Sequence, residues 1–184
     1  MASAPAPGDL ENVRGFVNTI NIEEGTDHLS DVAGMVEWFV DAGLLEAGAR
    51  AAGRDLEAAI RVREALRQAM LANNGDLGNA GAAFAELNRA AEAAMFSIIF
   101  CDPCEVQYLP NASGVAGALG RLLSIVAGSM ADGTWSRLKA CANDECRWAF
   151  YDHARNRSGK WCEMAVCGNR LKARTYRARQ GAGA

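Results

Sequence analysis

Four cysteines near the C-terminal end, Cys141, Cys146, Cys162 and Cys167, follow the spacing C-x4-C-x15-C-x4-C. Each short pair forms a turn that aims two thiolates at one point, and the intervening loop brings the two turns together. That pattern asks for a tetrahedral site with metal–sulfur distances of about 2.3 Å, the geometry of zinc. A catalytic zinc keeps one position for water, whereas four cysteines close the shell. The spacing therefore predicts one structural Zn2+, with an iron–sulfur cluster as the alternative. A module of about 45 residues has too little core to fold alone, so the metal is expected to supply much of its stability.

The charge of the chain divides at the same place. Residues 1–133 hold 8 Lys/Arg against 18 Asp/Glu, a net −10, and residues 134–184 hold 11 against 4, a net +7. A basic end on an acidic body is the asymmetry of a nucleic-acid-binding module; mutual packing of the two parts is the plainer reading. Gly168-Asn169 follows the last cysteine, and Arg170, Lys172, Arg174, Arg177 and Arg179 then run without Gly or Pro until Gly181, which predicts a basic helix of about three turns. Arg155, Arg157 and Lys160 add charge from the loop between the cysteine pairs. Such a surface suits phosphate contacts or major-groove entry, so DNA is the expected partner, with RNA as a variant. Trp148, Phe150 and Trp161 read as the small core around the metal rather than as base-stacking groups.

Upstream, the apolar period is mostly helical. A short helix or turn in 10–22 buries Phe16, and residues 23–30 form a loop. Val32, Met35, Val36, Phe39 and Val40 make a stripe that ends at Gly43, with Asp31 or Ser30 as its cap. A longer helix spans 50–72, with Leu56, Ile60, Leu66 and Met70 near one face and Arg54, Arg61, Arg63 and Arg67 mostly on the other. A third covers 79–95. Phe96–Phe100 and Val106–Leu109, joined through Asp102-Pro103, read as a β-hairpin, and a last helix runs from Gly114 to near Gly128. Cys101 and Cys104, at the hairpin turn, read as ordinary thiols, with redox sensing or a second metal as alternatives. The fold class expected is α+β: a mostly helical body with one β-hairpin, plus a small treble-clef-like zinc module. The boundaries are a disordered lead at 1–9, the body at 10–133, the finger at 134–180 and a tail at 181–184.

No apolar run approaches 18 residues, so no membrane-spanning helix is expected, and the opening MASAPAPGD has neither the basic nor the apolar region of a secretory signal. The expectation is a cytoplasmic protein without membrane contact, in which cysteines are metal ligands or free thiols.

The segment CRWAFYDHARNRSGKWCEMAVCGNRLKARTYRAR resembles the CGNR zinc finger, through Cys167-Gly168-Asn169-Arg170 above all. GFVNTINIEEGTDHLSDVAGMVEWFVDAGLL resembles the opening of the ABATE domain, which commonly precedes this finger in bacteria. The resemblance covers nearly the whole chain. It implies a stress-induced transcription regulator, with zinc on the four cysteines and the basic helix as the nucleic-acid surface. His153-Ala154 departs from the basic or hydroxyl pair the family often has there.

For the body, dimerisation, effector sensing and enzymatic activity are the readings to weigh. Phe16, Asn18, Thr19, His28 and Trp38 are the candidate lining of a small-molecule pocket. No nucleophile–base order, phosphate loop or paired-His motif is legible, so no catalytic residue is assigned. A homodimer is expected because regulators of this size commonly read paired half-sites. The competing reading is a small-molecule-binding protein or enzyme built on the body, with the finger as a structural or docking cap.

Overall fold

The structure, a computed structural model, describes residues 4–170. Five helices carry the body: α1 (Leu10–Val17), α2 (Val32–Asp41), α3 (Gly53–Asn73), α4 (Ala80–Ala94) and α5 (Gly114–Ala131). Three antiparallel two-stranded ladders accompany them: β1 (Ile20–Asn21) with β2 (Thr26–Asp27), β3 (Phe96–Cys101) with β4 (Glu105–Pro110), and β5 (Leu138–Ala140) with β6 (Ala149–Tyr151). The mostly helical α+β architecture with one long hairpin is the one expected.

Local chemistry explains the boundaries. Asp31 caps α2, its Oδ1 accepting the Gly34 N–H at 2.9 Å. Gly43, at φ +68°, ends that helix in the left-handed region that favours glycine. The α2 stripe puts Met35 and Phe39 in the core, where Phe39 and Trp38 pack with the fully buried Phe16 at ring-centroid distances of 5.3–5.5 Å. Within the lead expected to be disordered, Ala6 is buried and its N–H donates to Glu11 Oε2 at 2.7 Å.

Helix α3 is the hub, packed against α1, α2, α4, α5 and β5. Its buried stripe runs through Ala59, Val62, Leu66, Ala69 and Met70, and also through Arg63 and Arg67, which are 3% and 2% exposed. The expectation that these two arginines face away from the apolar side is therefore corrected. Positions 59, 63, 66 and 70 lie one above another on a helix, so both guanidinium groups enter the interior with that stripe.

Helix α5 has 18 residues, is apolar enough in composition to cross a bilayer, and is half buried inside the protein. It packs on α1, α3, α4 and β4 as a core helix. A Cβ at Gly120 would meet Pro110 Cβ at 2.6 Å and Ala94 Cβ at 2.8 Å, so glycine permits the close approach of α5 to β4 and α4.

The C-terminal part is not a detached module. Trp135, Leu138, Ala140 and Ala149 are buried in the same hydrophobic cluster as α1, α3 and α5. In β5, Leu138 and Ala140 face that core, and Lys139, between them, points to the opposite side.

Candidate metal centre

Cys141 directly follows β5 and Cys146 precedes β6, so the first pair closes the connection of one hairpin. The Cys141 N–H donates to Trp148 O at 2.9 Å, and the N–H groups of Cys146 and Arg147 both donate to Asn143 O at 3.0 Å. The second pair comes from the far side of the loop. Cys162 ends it, and Cys167 lies in the π-helical turn Met164–Gly168, its N–H donating to Glu163 O at 3.0 Å.

The four sulfur atoms lie within 4.8 Å of one another, the one such cluster among the described residues. Cys146 Sγ is 3.6 Å from Cys162 Sγ, which is 3.8 Å from Cys167 Sγ. A tetrahedron with zinc–sulfur bonds of about 2.3 Å has edges of about 3.8 Å, whereas a disulfide needs about 2.05 Å. The donor set and spacing are consistent with one structural zinc ion, and Cys141, Cys146, Cys162 and Cys167 are the residues that would hold it. Cys141, Cys146 and Cys167 are buried, with Trp148, Trp161 and Val166 packed around them. Asn143 Nδ2 approaches Cys167 Sγ at 3.9 Å, a donor aimed at the sulfur. Among themselves the thiols compete for charge. Hydrogen bonds from Cys146 and Cys162 hold Cys141 far below the usual thiol range, and the same contacts push Cys146 and Cys162 above it. A bound divalent cation would remove that competition, because it would favour the thiolate at every ligand. Cys101 and Cys104 sit at the β3–β4 turn and are not part of the cluster.

The body holds this centre through side chains that bond to finger backbone. Asn18 Nδ2 donates to Ala149 O at 2.9 Å while its Oδ1 accepts the Ala149 N–H at 2.7 Å. Arg67 donates to Arg147 O at 2.8 Å, to Val17 O at 2.6 Å and to Glu64 Oε2 at 3.0 Å. At the end of α3, Asn73 Nδ2 donates to Trp135 O and Leu138 O, and Asn74 Nδ2 donates to Ala140 O and Lys160 O, all at 2.8–2.9 Å. Arg63 supports the same region by donating to Thr19 Oγ1 and Asp27 Oδ1. Arg67, Asn73 and Asn74 escaped the sequence reading as contacts of the finger; the legible signal was the register of Arg63 and Arg67 with the apolar stripe.

A buried ion pair organises the loop between the cysteine pairs. Lys139 Nζ lies 2.8 Å from Asp152 Oδ2 and also donates to Arg157 O and Gly159 O. Asp152 further accepts the N–H groups of Ala154 and Gly159. Burial pushes the Asp152 carboxyl up, but the Lys139 ammonium and the two N–H donors hold it below the usual carboxylate range. A Cβ at Gly159 would meet the Asp152 carboxylate carbon at 2.9 Å, so the loop closes tightly around it.

The candidate nucleic-acid residues are distributed as follows. Arg155, Arg157 and Lys160 are exposed on this loop, with Arg157 Nη1 donating to Ser136 Oγ at 3.1 Å. Arg170 is exposed and pairs with Glu23 of the body. Lys172, Arg174, Arg177 and Arg179 lie outside the described residues. The candidate pocket residues are placed as follows. Phe16 is fully buried, Trp38 packs on it, and His28 is exposed. Thr19 Oγ1 donates to Phe16 O at 2.9 Å, and Asn18 is engaged with Ala149.

Two family models match the chain. One, ABATE, described as "Putative stress-induced transcription regulator", matches residues 14–132. The other, the CGNR zinc finger, matches residues 137–180. No curated protein matches it in sequence.

Proposed function

We propose, since the chain belongs to the ABATE family and carries a C-terminal CGNR zinc finger, that it is a transcription regulator whose finger binds DNA and whose acidic body dimerises or senses an effector. The observation that carries this reading is the loop built around Lys139 and Asp152. It spends one basic residue internally and holds Arg155 and Lys160 outward, where neither forms an ion pair with a described residue. Cations fixed on a rigid support lose little entropy on meeting phosphate. In the sequence, Arg170, Lys172, Arg174, Arg177 and Arg179 follow shortly after Cys167 and add five further cations to the same end of the chain. RNA would be met by the same groups and is the variant to separate. On this reading the protein works in the cytoplasm. The small-molecule alternative at Phe16, Asn18, Thr19, His28 and Trp38 is not advanced, because those side chains are used in packing and in holding the finger, or lie in solvent.

The test is a salt titration of zinc-loaded protein on mixed genomic DNA fragments and on RNA. Binding should weaken as salt rises, with a log–log slope of about −0.9 for each duplex phosphate contacted. The double variants Arg155→Ala/Lys160→Ala and Arg174→Ala/Arg177→Ala should each bind more weakly and with a shallower slope. Stoichiometric zinc with no salt-sensitive binding to either nucleic acid would overturn the reading.

A further inference from the structure

The β3–β4 hairpin is a two-stranded ladder with unusual exposure. Its register places Phe96, Ile98 and Phe100 opposite Pro110, Tyr108 and Val106, so all six side chains share one face, and that face carries no charge. Its inner end packs on the helices. Its outer end does not: Ile98 is 57% exposed, Val106 47% and Phe100 83%. On the other face Ile99, in the outer half, and Leu109, nearer the base, are exposed too, so that side of the hairpin also stands in solvent. An isolated two-stranded hairpin is at best marginally stable in water, and an apolar one is an open invitation to pairing.

The apolar face runs on into a cavity of about 270 Å³ between α4, α5 and the hairpin, walled by Phe84, Leu87, Ala91, Phe96, Tyr108 and Met130 among others. Phe84, Met130, Ile98, Phe100, Val106 and Tyr108 are 36–83% exposed. At roughly 200 Å² for each large side chain they offer on the order of 600 Å² of apolar surface. An interface of standard size takes about 800 Å² from each partner, a little over half of it apolar. The patch is thus sufficient for a stable dimer. It is also self-complementary in kind, since one surface presents both a protruding aromatic, Phe100, and an apolar recess. Two copies related by a two-fold axis satisfy both at once.

We infer that this face is the homodimer interface, with Phe100 of each copy seated in the recess between α4 and α5 of the other. The inference rests on the dimeric part of the reading above and names the surface that carries it.

Sedimentation velocity on the full zinc-loaded chain tests it. The wild type should be a dimer, and Phe100→Asp should weaken dimerisation by about 30-fold or more, the loss of a buried aromatic anchor. Met130→Asp should act likewise from the recess. Leu109→Asp, on the opposite face, should leave the dimer intact. Zinc content and near-ultraviolet circular dichroism on the same samples separate dissociation from misfolding; Phe100 and Met130 are exposed, so both variants should stay folded. A wild-type monomer at high concentration would overturn the inference and the dimeric reading together, while leaving salt-sensitive DNA binding as a separate result. A dimer that survives both Phe100→Asp and Met130→Asp would overturn this face alone.

Discussion

Asn18 and Ala149 exchange two hydrogen bonds, N–H to side-chain oxygen at 2.7 Å and side-chain nitrogen to carbonyl at 2.9 Å. The amide of a body residue therefore stands in for one residue of a third strand beside β6. The main chain of the finger hairpin is completed by the body before any metal is considered, and the contact joins residues 131 positions apart.

Asn18→Ala would leave the N–H and C=O of the fully buried Ala149 without this partner. Unmade bonds of this kind cost about 1–3 kcal/mol each, so the variant should lose about 2–6 kcal/mol. Asn18→Asp should be worse than Ala, because a carboxylate still accepts from the N–H but faces the carbonyl with like charge. Thermal denaturation of the three proteins checks the order; Asn18→Ala as stable as the wild type would remove the clamp from the account.

Arg67 bonds to two main-chain carbonyls on different parts of the chain and to Glu64. Arg67→Lys should rescue little, because one ammonium cannot reproduce the planar fork that reaches Val17 O and Arg147 O together. Removing the guanidinium takes its donor from Val17 O and Arg147 O and leaves Glu64 paired with Arg63 alone, an expected loss of about 3 kcal/mol in Arg67→Ala. Urea unfolding would show Arg67→Lys and Arg67→Ala close to each other and well below the wild type. Full rescue by lysine would count against the fork.

The Lys139–Asp152 pair makes a pH-dependent prediction. The folded pKa of Asp152 is depressed, so its contribution is present above the ordinary carboxylate pKa of about 3.9 and is lost as pH falls through the folded value. Asp152→Asn strands a buried ammonium and should cost about 3–5 kcal/mol at neutral pH. The gap between wild type and variant should narrow in acid, below about pH 4. A gap that stays constant from pH 7 to pH 3 would mean that the carboxylate charge is not what holds the loop.

Metal removal should reach beyond the finger. Trp135, Leu138, Ala140 and Ala149 share one core with α1, α3 and α5, so a chelator that releases zinc should lower the melting temperature of the whole chain. Calorimetry should show one transition, shifted down and restored by added zinc. Two transitions, only the smaller of which responds to the chelator, would show that body and finger melt independently.

What the sequence made legible follows physical regularity. The spacing of Cys141, Cys146, Cys162 and Cys167 is local in pairs, and short turns leave few ways to place four thiols. The helical stripe of Val32, Met35, Val36 and Phe39 and the β-rich run at Phe96–Phe100 are equally local signals. The seat of the finger was not legible. Asn18, Asn73 and Asn74 bond to main-chain atoms far along the chain, and main-chain atoms leave no residue type to recognise. Arg63 and Arg67 misled for a different reason. Arginine is ordinarily solvated, and burial here depends on partners that the fold brings up: Thr19 and Asp27 for Arg63, and the carbonyls of Val17 and Arg147 for Arg67. Asn18 was weighed as the lining of a pocket; its bonds to the Ala149 main chain had no signal in the sequence.

The shared core also bears on how the chain can be taken apart. A cut between residues 133 and 134 would follow the change in charge and separate the stretches matched by the two family models. It would also expose the apolar side of Leu138, Ala140 and Ala149 on one piece and the groove that receives them on the other. The two pieces are less like a pair of beads than like the halves of a broken mould: each would present an apolar face that the other alone is shaped to cover.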